Sequence, residues 1–153
     1  PYRGRVMACF KGFLGFVLTF VITLYAFNYE GYTEPIKWMK YEEALEVADK
    51  TGKPVFIFFT SKRCPICEKL EGETLVDPEI AELLNKEYLP VRVEGEKNPK
   101  LVTKFRVLGY PTLWIYCKQG LIGPVIGYLS PLDLKGLLST ARGCKPFQPK
   151  PDK

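Results

Sequence analysis

The chain has 153 residues, 46% of them apolar, and a formal net charge of +5. That is the length of one domain with appendages, with apolar side chains enough for a core of about 100 residues. The charge does not mark a binding surface. Residues 31 to 141 carry 15 basic and 15 acidic side chains, and the excess lies in Arg3, Arg5 and Lys11 and in Arg142, Lys145, Lys150 and Lys153. No basic stripe with interleaved aromatics is present, which argues against nucleic-acid binding.

Residues 1–30 read as a membrane anchor. Gly12 to Phe27 is apolar except for Thr19 and Thr23, and extension back to Val6 adds one charge, Lys11, which can snorkel to the interface. About 20 residues span a bilayer, so Val6–Phe27 is long enough. Tyr25, Tyr29 and Tyr32 suit an aromatic belt. A cleaved signal peptide is the alternative, but Leu24-Tyr25-Ala26 lacks the small-residue cleavage pattern. Arg3, Arg5 and Lys11 precede the span while Glu30 and Glu34 follow it. Positive-inside therefore puts the N-terminus in the cytoplasm and the remainder outside the cell membrane, single-pass. Gly15, Thr19 and Thr23 share a face on which another membrane helix can pack, or which simply faces lipid.

Residues 31–40 are a linker, with Ile36-Lys37-Trp38 a candidate edge strand. Tyr41, Leu45 and Ala48 line one face of a helix ending at Gly52. Pro54 to Thr60 is a short apolar run rich in β-formers, the pattern of a buried parallel strand. Cys64-Pro65-Ile66-Cys67 follows at once, and Glu68-Lys69-Leu70-Glu71 are good helix formers. Cys64 falls at the N-cap and Pro65 at N1, where a missing N–H costs nothing. A thiol there feels the positive end of the helix dipole, so its thiolate is favoured. Lys62, Arg63 and Lys69 add positive charge, and Arg63 is the candidate tuning residue. The pattern suits a nucleophilic Cys64 with a resolving Cys67 one turn behind. A zinc half-site and two packing cysteines are the other readings. Zinc needs four ligands, and the chain has no histidine and no second CxxC.

A bend is expected at Gly72. Four helices share one start signal, a capping residue followed by proline: Cys64-Pro65, Asp77-Pro78, Asn98-Pro99 and Ser130-Pro131. Ile80, Leu83 and Leu84 face the core from the second. Tyr88 to Glu94 is a further strand. Leu113 to Cys117, a turn through Lys118-Gln119-Gly120, and Pro124 to Leu129 form a closing hairpin. Leu134, Leu137, Leu138 and Ala141 give the last helix its apolar face, and 142–153 is a tail rich in proline and lysine.

The segments Trp38 to Ala48, Gly52-Lys53-Pro54, the CxxC, Thr74 to Ile80, and Tyr110-Pro111-Thr112 resemble the thioredoxin-fold family. The similarity is to the C-terminal domain of membrane thiol:disulfide interchange proteins and their single-domain thioredoxin-like relatives. It implies an α/β thioredoxin fold, a central mixed sheet flanked by helices, over 41–141. It also implies that Pro111 is cis, opens the strand facing the CxxC and, with Tyr110, holds the substrate backbone. Three positions depart from the family. Arg63 stands where Trp is common, Phe58 where a buried acid is common, and Arg92 where a lysine is common. Without an acid at 58, Glu68, Glu94 or water must take the proton of Cys67.

The expected activity is thiol–disulfide exchange on protein substrates by the redox-active Cys64–Cys67 pair, with no other cofactor and no metal. The resemblance implies the reducing direction, with electrons from a membrane partner. A thioredoxin-fold subunit serving a membrane complex structurally is the rival. In the thioredoxin topology Cys117 and Cys144 both reach the pole opposite the CxxC, so a structural disulfide between them competes with two separate thiols.

Overall fold

The computed structural model describes residues 34–142. The proposed span Val6–Phe27, Cys9, Cys144 and the tail lie outside them. Among the described residues no helix is long and apolar enough to cross a membrane.

The elements run α1 (Tyr41–Thr51), β1 (Val55–Thr60), α2 (Pro65–Lys69) continued by a π-helical turn (Leu70–Thr74), α3 (Pro78–Glu87), β2 (Leu89–Glu94), a 3-10 turn (Gly95–Lys97), α4 (Pro99–Lys104), β3 (Thr112–Cys117), β4 (Gly120–Ile126) and α5 (Pro131–Ala141). The four strands form one mixed sheet in the order β2-β1-β3-β4. β1 is parallel to β2 and antiparallel to β3. This is the expected α/β fold.

All six residues of β1 are buried, because the strand is covered on both faces. Its side chains alternate with the period of two that a pleated strand imposes. Phe56 and Phe58 enter a core with Leu70, Ile80, Leu84, Leu134 and Leu138. Val55, Ile57 and Phe59 enter the other, with Tyr41, Ala44, Ala48 and Phe105. Tyr88 closes the first core at the far pole. Its hydroxyl donates to the Leu138 carbonyl, and burial, aided by the charge of Glu87, pushes its pKa up to about 12.

All four Xaa-Pro helix starts are real, but only three are capped by the side chain before the proline. Cys64 Sγ accepts from the Cys67 N–H, Asp77 from Glu79 and Ile80, and Ser130 from Asp133. Asn98 caps nothing; its amide instead donates to the Glu94 carbonyl at 2.9 Å. The bend near Gly72 takes the form of the π-helical turn, in which Leu75 N–H reaches back five residues to the Leu70 carbonyl at 3.0 Å. The edge strand at 36–38 shrinks to one parallel bridge, Met39 to Val91, since Trp38 turns aside to lay its ring on Phe56 and Phe58. The last strand is Gly120–Ile126 rather than 124–129. The hairpin turns tightly, pairing Cys117 with Gly120. Pro124 sits within the strand, which is tolerated because β4 is at the sheet edge.

Phe58 is fully buried, and its ring centroid lies 6.1 Å from that of Trp38. Truncation would leave a cavity between sheet and helices. Phe58→Ala should therefore cost about 3–5 kcal/mol, measured as a lower urea midpoint at unchanged slope. A loss under about 1 kcal/mol would show that the site collapses freely.

Candidate active site

Thr60 ends β1, and the chain makes one short turn to the N-terminus of α2. Arg63, in that turn, has φ of 58°, a left-handed conformation that costs a non-glycine residue about 1–2 kcal/mol. It delivers Cys64 to the N-cap, where Sγ accepts from Cys67 N–H at 3.2 Å. Cys64 and Cys67 form a disulfide with their Cα atoms 5.2 Å apart. The two sulfurs differ in access. Cys64 is half-buried, while Cys67 retains 1% of its surface. An incoming thiolate or disulfide can reach Cys64 and not its partner.

Register brings the second expected segment to the same place. Phe59 of β1 pairs with Thr112 of β3, so Pro111 lies beside the end of β1. The Tyr110–Pro111 bond is cis. The Pro111 carbonyl accepts from Gly127 N–H at 2.9 Å, and Thr112 Oγ1 donates to the Gly109 carbonyl at 2.6 Å. Cys64, Cys67, Tyr110 and Pro111 thus share one pole of the sheet. Cys117, at the other end of β3, stands at the opposite pole and is itself disulfide-bonded. The helix α5 also ends there, with Ala141 beside Pro54 and Tyr88.

Beside Cys67 opens a groove of about 340 Å³, lined in part by Thr60, Arg63, Glu68, Glu71, Arg92 and Glu94. Phe58 is buried in the core and is not part of the lining, whereas its register partner Arg92 is. Arg92 binds Glu71 at 3.1 Å and Glu94 at 3.2 Å. Thr60 Oγ1 donates to Glu71 at 3.2 Å. Glu94 is further tied to Lys97 at 2.7 Å, and this hydrogen bond, with smaller help from the Lys97 and Arg92 charges, lowers its pKa. Glu71 was not among the acids expected near Cys67. It is four residues beyond Cys67, and that helical spacing was the available signal. Arg92 was the better pointer, since a half-buried guanidinium between strands needs a carboxylate.

The matched family model describes a thioredoxin-like domain and covers residues 41–142. The chain belongs to this family. The disulfide bond reductase DsbH of Chlamydia pneumoniae is 29% identical over 97 residues, 56% of this chain and 58% of that protein. Spermatogenesis-associated protein 20 of Rattus norvegicus is 33% identical over 66 residues, 42% of this chain and 8% of that protein. The chain thus matches only a small part of that longer relative. A Thermus thermophilus thioredoxin structure superposes with a TM-score of 0.63 at 28% identity, covering 72% of this chain and 94% of the thioredoxin. The DsbD C-terminal domain of Neisseria meningitidis shares the fold, with a TM-score of 0.52 at 17% identity and coverage of 66% and 91%.

The N–H that faces Cys64 Sγ in the disulfide is placed to face its thiolate after reduction. Iodoacetamide should therefore alkylate Cys64 of the reduced protein ahead of Cys67. The rate should have a pH midpoint below the free-thiol value of about 8.5. A midpoint at or above that value, or equal labelling of both cysteines, would contradict the geometry.

Proposed function

We propose that the protein is a thiol–disulfide oxidoreductase that works as a disulfide reductase on protein substrates. The observation that carries this is the unequal burial of a linked cysteine pair: Cys64 is accessible at a helix N-cap, and Cys67 is 1% exposed directly behind it. In the reduced protein Cys64 attacks a substrate disulfide as the thiolate. The substrate's S–S bond breaks, one substrate sulfur leaves as a thiolate and takes up a proton, and a Cys64–substrate disulfide forms. Cys67 then loses its proton and attacks Cys64 Sγ. That releases the second substrate thiol and leaves the Cys64–Cys67 disulfide seen here. The substrate is reduced by two electrons and the protein oxidised by two. A dithiol donor must return them by the same exchange in reverse.

Tyr110 and Pro111 hold the substrate chain against Cys64, and the charge of Arg63 supports the thiolate. Glu71 receives the proton of Cys67, in place of an acid at position 58. Glu71 is held by Arg92 and Thr60 on the wall that also contains Cys67. Glu94 borders the same groove and is tied to Arg92 and Lys97.

The setting is a membrane anchor at Val6–Phe27 with the redox domain outside the cytoplasm, fed by a membrane electron donor. The apolar run and the charges flanking it support this. An oxidising compartment also fits a structural disulfide between Cys117 and Cys144. It would close a loop of about 27 residues and stabilise the fold by on the order of 3 kcal/mol in the chain-entropy model.

Cys64→Ser should abolish reduction of a protein disulfide, whereas Cys67→Ser should accumulate a mixed disulfide, attack being kept and resolution lost. Glu71→Gln should keep attack and slow resolution by about 10²-fold. Trapping by Cys64→Ser instead of Cys67→Ser would reverse the roles. Intact cells treated with reductant and an impermeant maleimide should label Cys64 without lysis, and peptide maps of unreduced protein should show Cys117 joined to Cys144. Labelling only after lysis would refute the orientation, and separate Cys117 and Cys144 peptides the bridge.

A further inference from the structure

Between β2 and α4 lies the three-residue 3-10 turn Gly95–Lys97. It belongs to neither redox motif, yet it touches the loops that carry both. Glu96 Oε1 accepts from the Ser61 hydroxyl at 2.6 Å and from the Lys62 N–H at 2.9 Å. Those two residues immediately precede Arg63, whose left-handed backbone turns the chain into Cys64. These bonds, that to Ser61 first, lower the Glu96 pKa, as expected of a carboxylate bonded as the anion.

The neighbouring residue meets the other loop. Gly95 is buried. A methyl group at its Cα would stand 1.9 Å from the Tyr110 hydroxyl oxygen and 2.5 Å from the ring carbon bearing it. Gly95 is not in the left-handed region. A glycine is therefore needed there for space, not for its backbone angle, and the occupant of that space is the phenol of Tyr110. Tyr110 is joined by a cis bond to Pro111, which lies at the same pole of the sheet as the disulfide. The turn itself is braced from behind. Asn98 N–H donates to the Gly95 carbonyl at 3.1 Å, the Asn98 amide donates to the Glu94 carbonyl, and Lys97 pairs with Glu94.

We propose that the Gly95–Lys97 turn is the positioning element of the redox site. Glu96 sets the loop that delivers Cys64, and Gly95 seats the tyrosine of the loop opposite, so one turn fixes the two jaws relative to each other. Both act through the two loops that carry Cys64 and Pro111. A substrate chain must lie along Tyr110–Pro111 while presenting its disulfide to Cys64. An error in the spacing of the jaws is then felt in substrate binding before it is felt in folding.

The kinetic arm rests on the oxidoreductase reading; a second arm does not. In the full chain, Glu96→Ala should raise KM for a disulfide-bonded peptide about ten-fold, the loss expected for hydrogen bonds to a charged group. Glu96→Gln keeps an acceptor oxygen and should stay close to wild type. Gly95→Ala should raise KM in the Tyr110 background and change nothing in a Tyr110→Ala background, where no phenol is displaced. Equal cost in both backgrounds, or Glu96→Gln as impaired as Glu96→Ala, would overturn the proposal and leave the turn a merely structural one. If the wild type reduces no disulfide, the oxidoreductase reading fails, and hydrogen exchange at the Lys62 amide decides the positioning role instead. Faster exchange in Glu96→Ala, with wild-type exchange in Glu96→Gln, supports it. Unchanged exchange in Glu96→Ala overturns it.

Discussion

β1 is hydrogen-bonded on both edges and covered on both faces, and the redox pair stands one short turn beyond its end. Six consecutive buried residues leave this strand no freedom to slip. A shift of one residue would exchange Phe56 and Phe58 with Ile57 and Phe59 between two differently shaped cores. The register that results pairs Phe59 with Thr112 and Thr60 with Glu94. It thereby sets the cis-proline segment on one side of the CxxC and the charged groove on the other. A pair of cysteines three residues apart has chemistry only in principle. The central strand gives it an accessible sulfur, a covered sulfur and an opposing wall.

The groove is an electrostatic site built around Arg92. With Phe58 in the core, β1 contributes no acid to the groove. Arg92, the partner of Phe58 in the parallel pair, is half-buried and needs a counter-charge. The π-helical turn after α2 supplies Glu71, and the last residue of β2 is Glu94. Arg92 thus meets two carboxylates, and its charge is not left unpaired.

The pole opposite the site is built differently. There Tyr88 donates to the Leu138 carbonyl within the core, Arg142 pairs with Glu87 at the surface, and Cys117 is disulfide-bonded. The first two of these contacts join the end of α3 to α5. The pole that carries Cys64 and Cys67 also relies on hydrogen bonds from short turns, where loops positioned by a rigid scaffold commonly carry function.

Much was legible from residues alone. The Xaa-Pro pairs placed four helix starts, because a proline at N1 loses no hydrogen bond and arrives with its φ set. The apolar run 54–60 marked β1, and the CxxC following it put Cys64 at an N-cap; both are local patterns. The last strand was misplaced because a proline usually ends a strand, and only sheet order shows that Pro124 is on an edge. The edge strand near Trp38 was overstated because β-propensity says nothing of whether a partner is in reach. Glu71, Gly95 and Glu96 could not be read as site residues at all. Their significance lies in contacts with Arg92, Tyr110 and Ser61, 15 to 35 positions away. The local chain determined which residues start helices, fill strands and carry sulfur. Long-range register decided which charges and loops surround that sulfur, since side chains distant in sequence meet only after the sheet has paired.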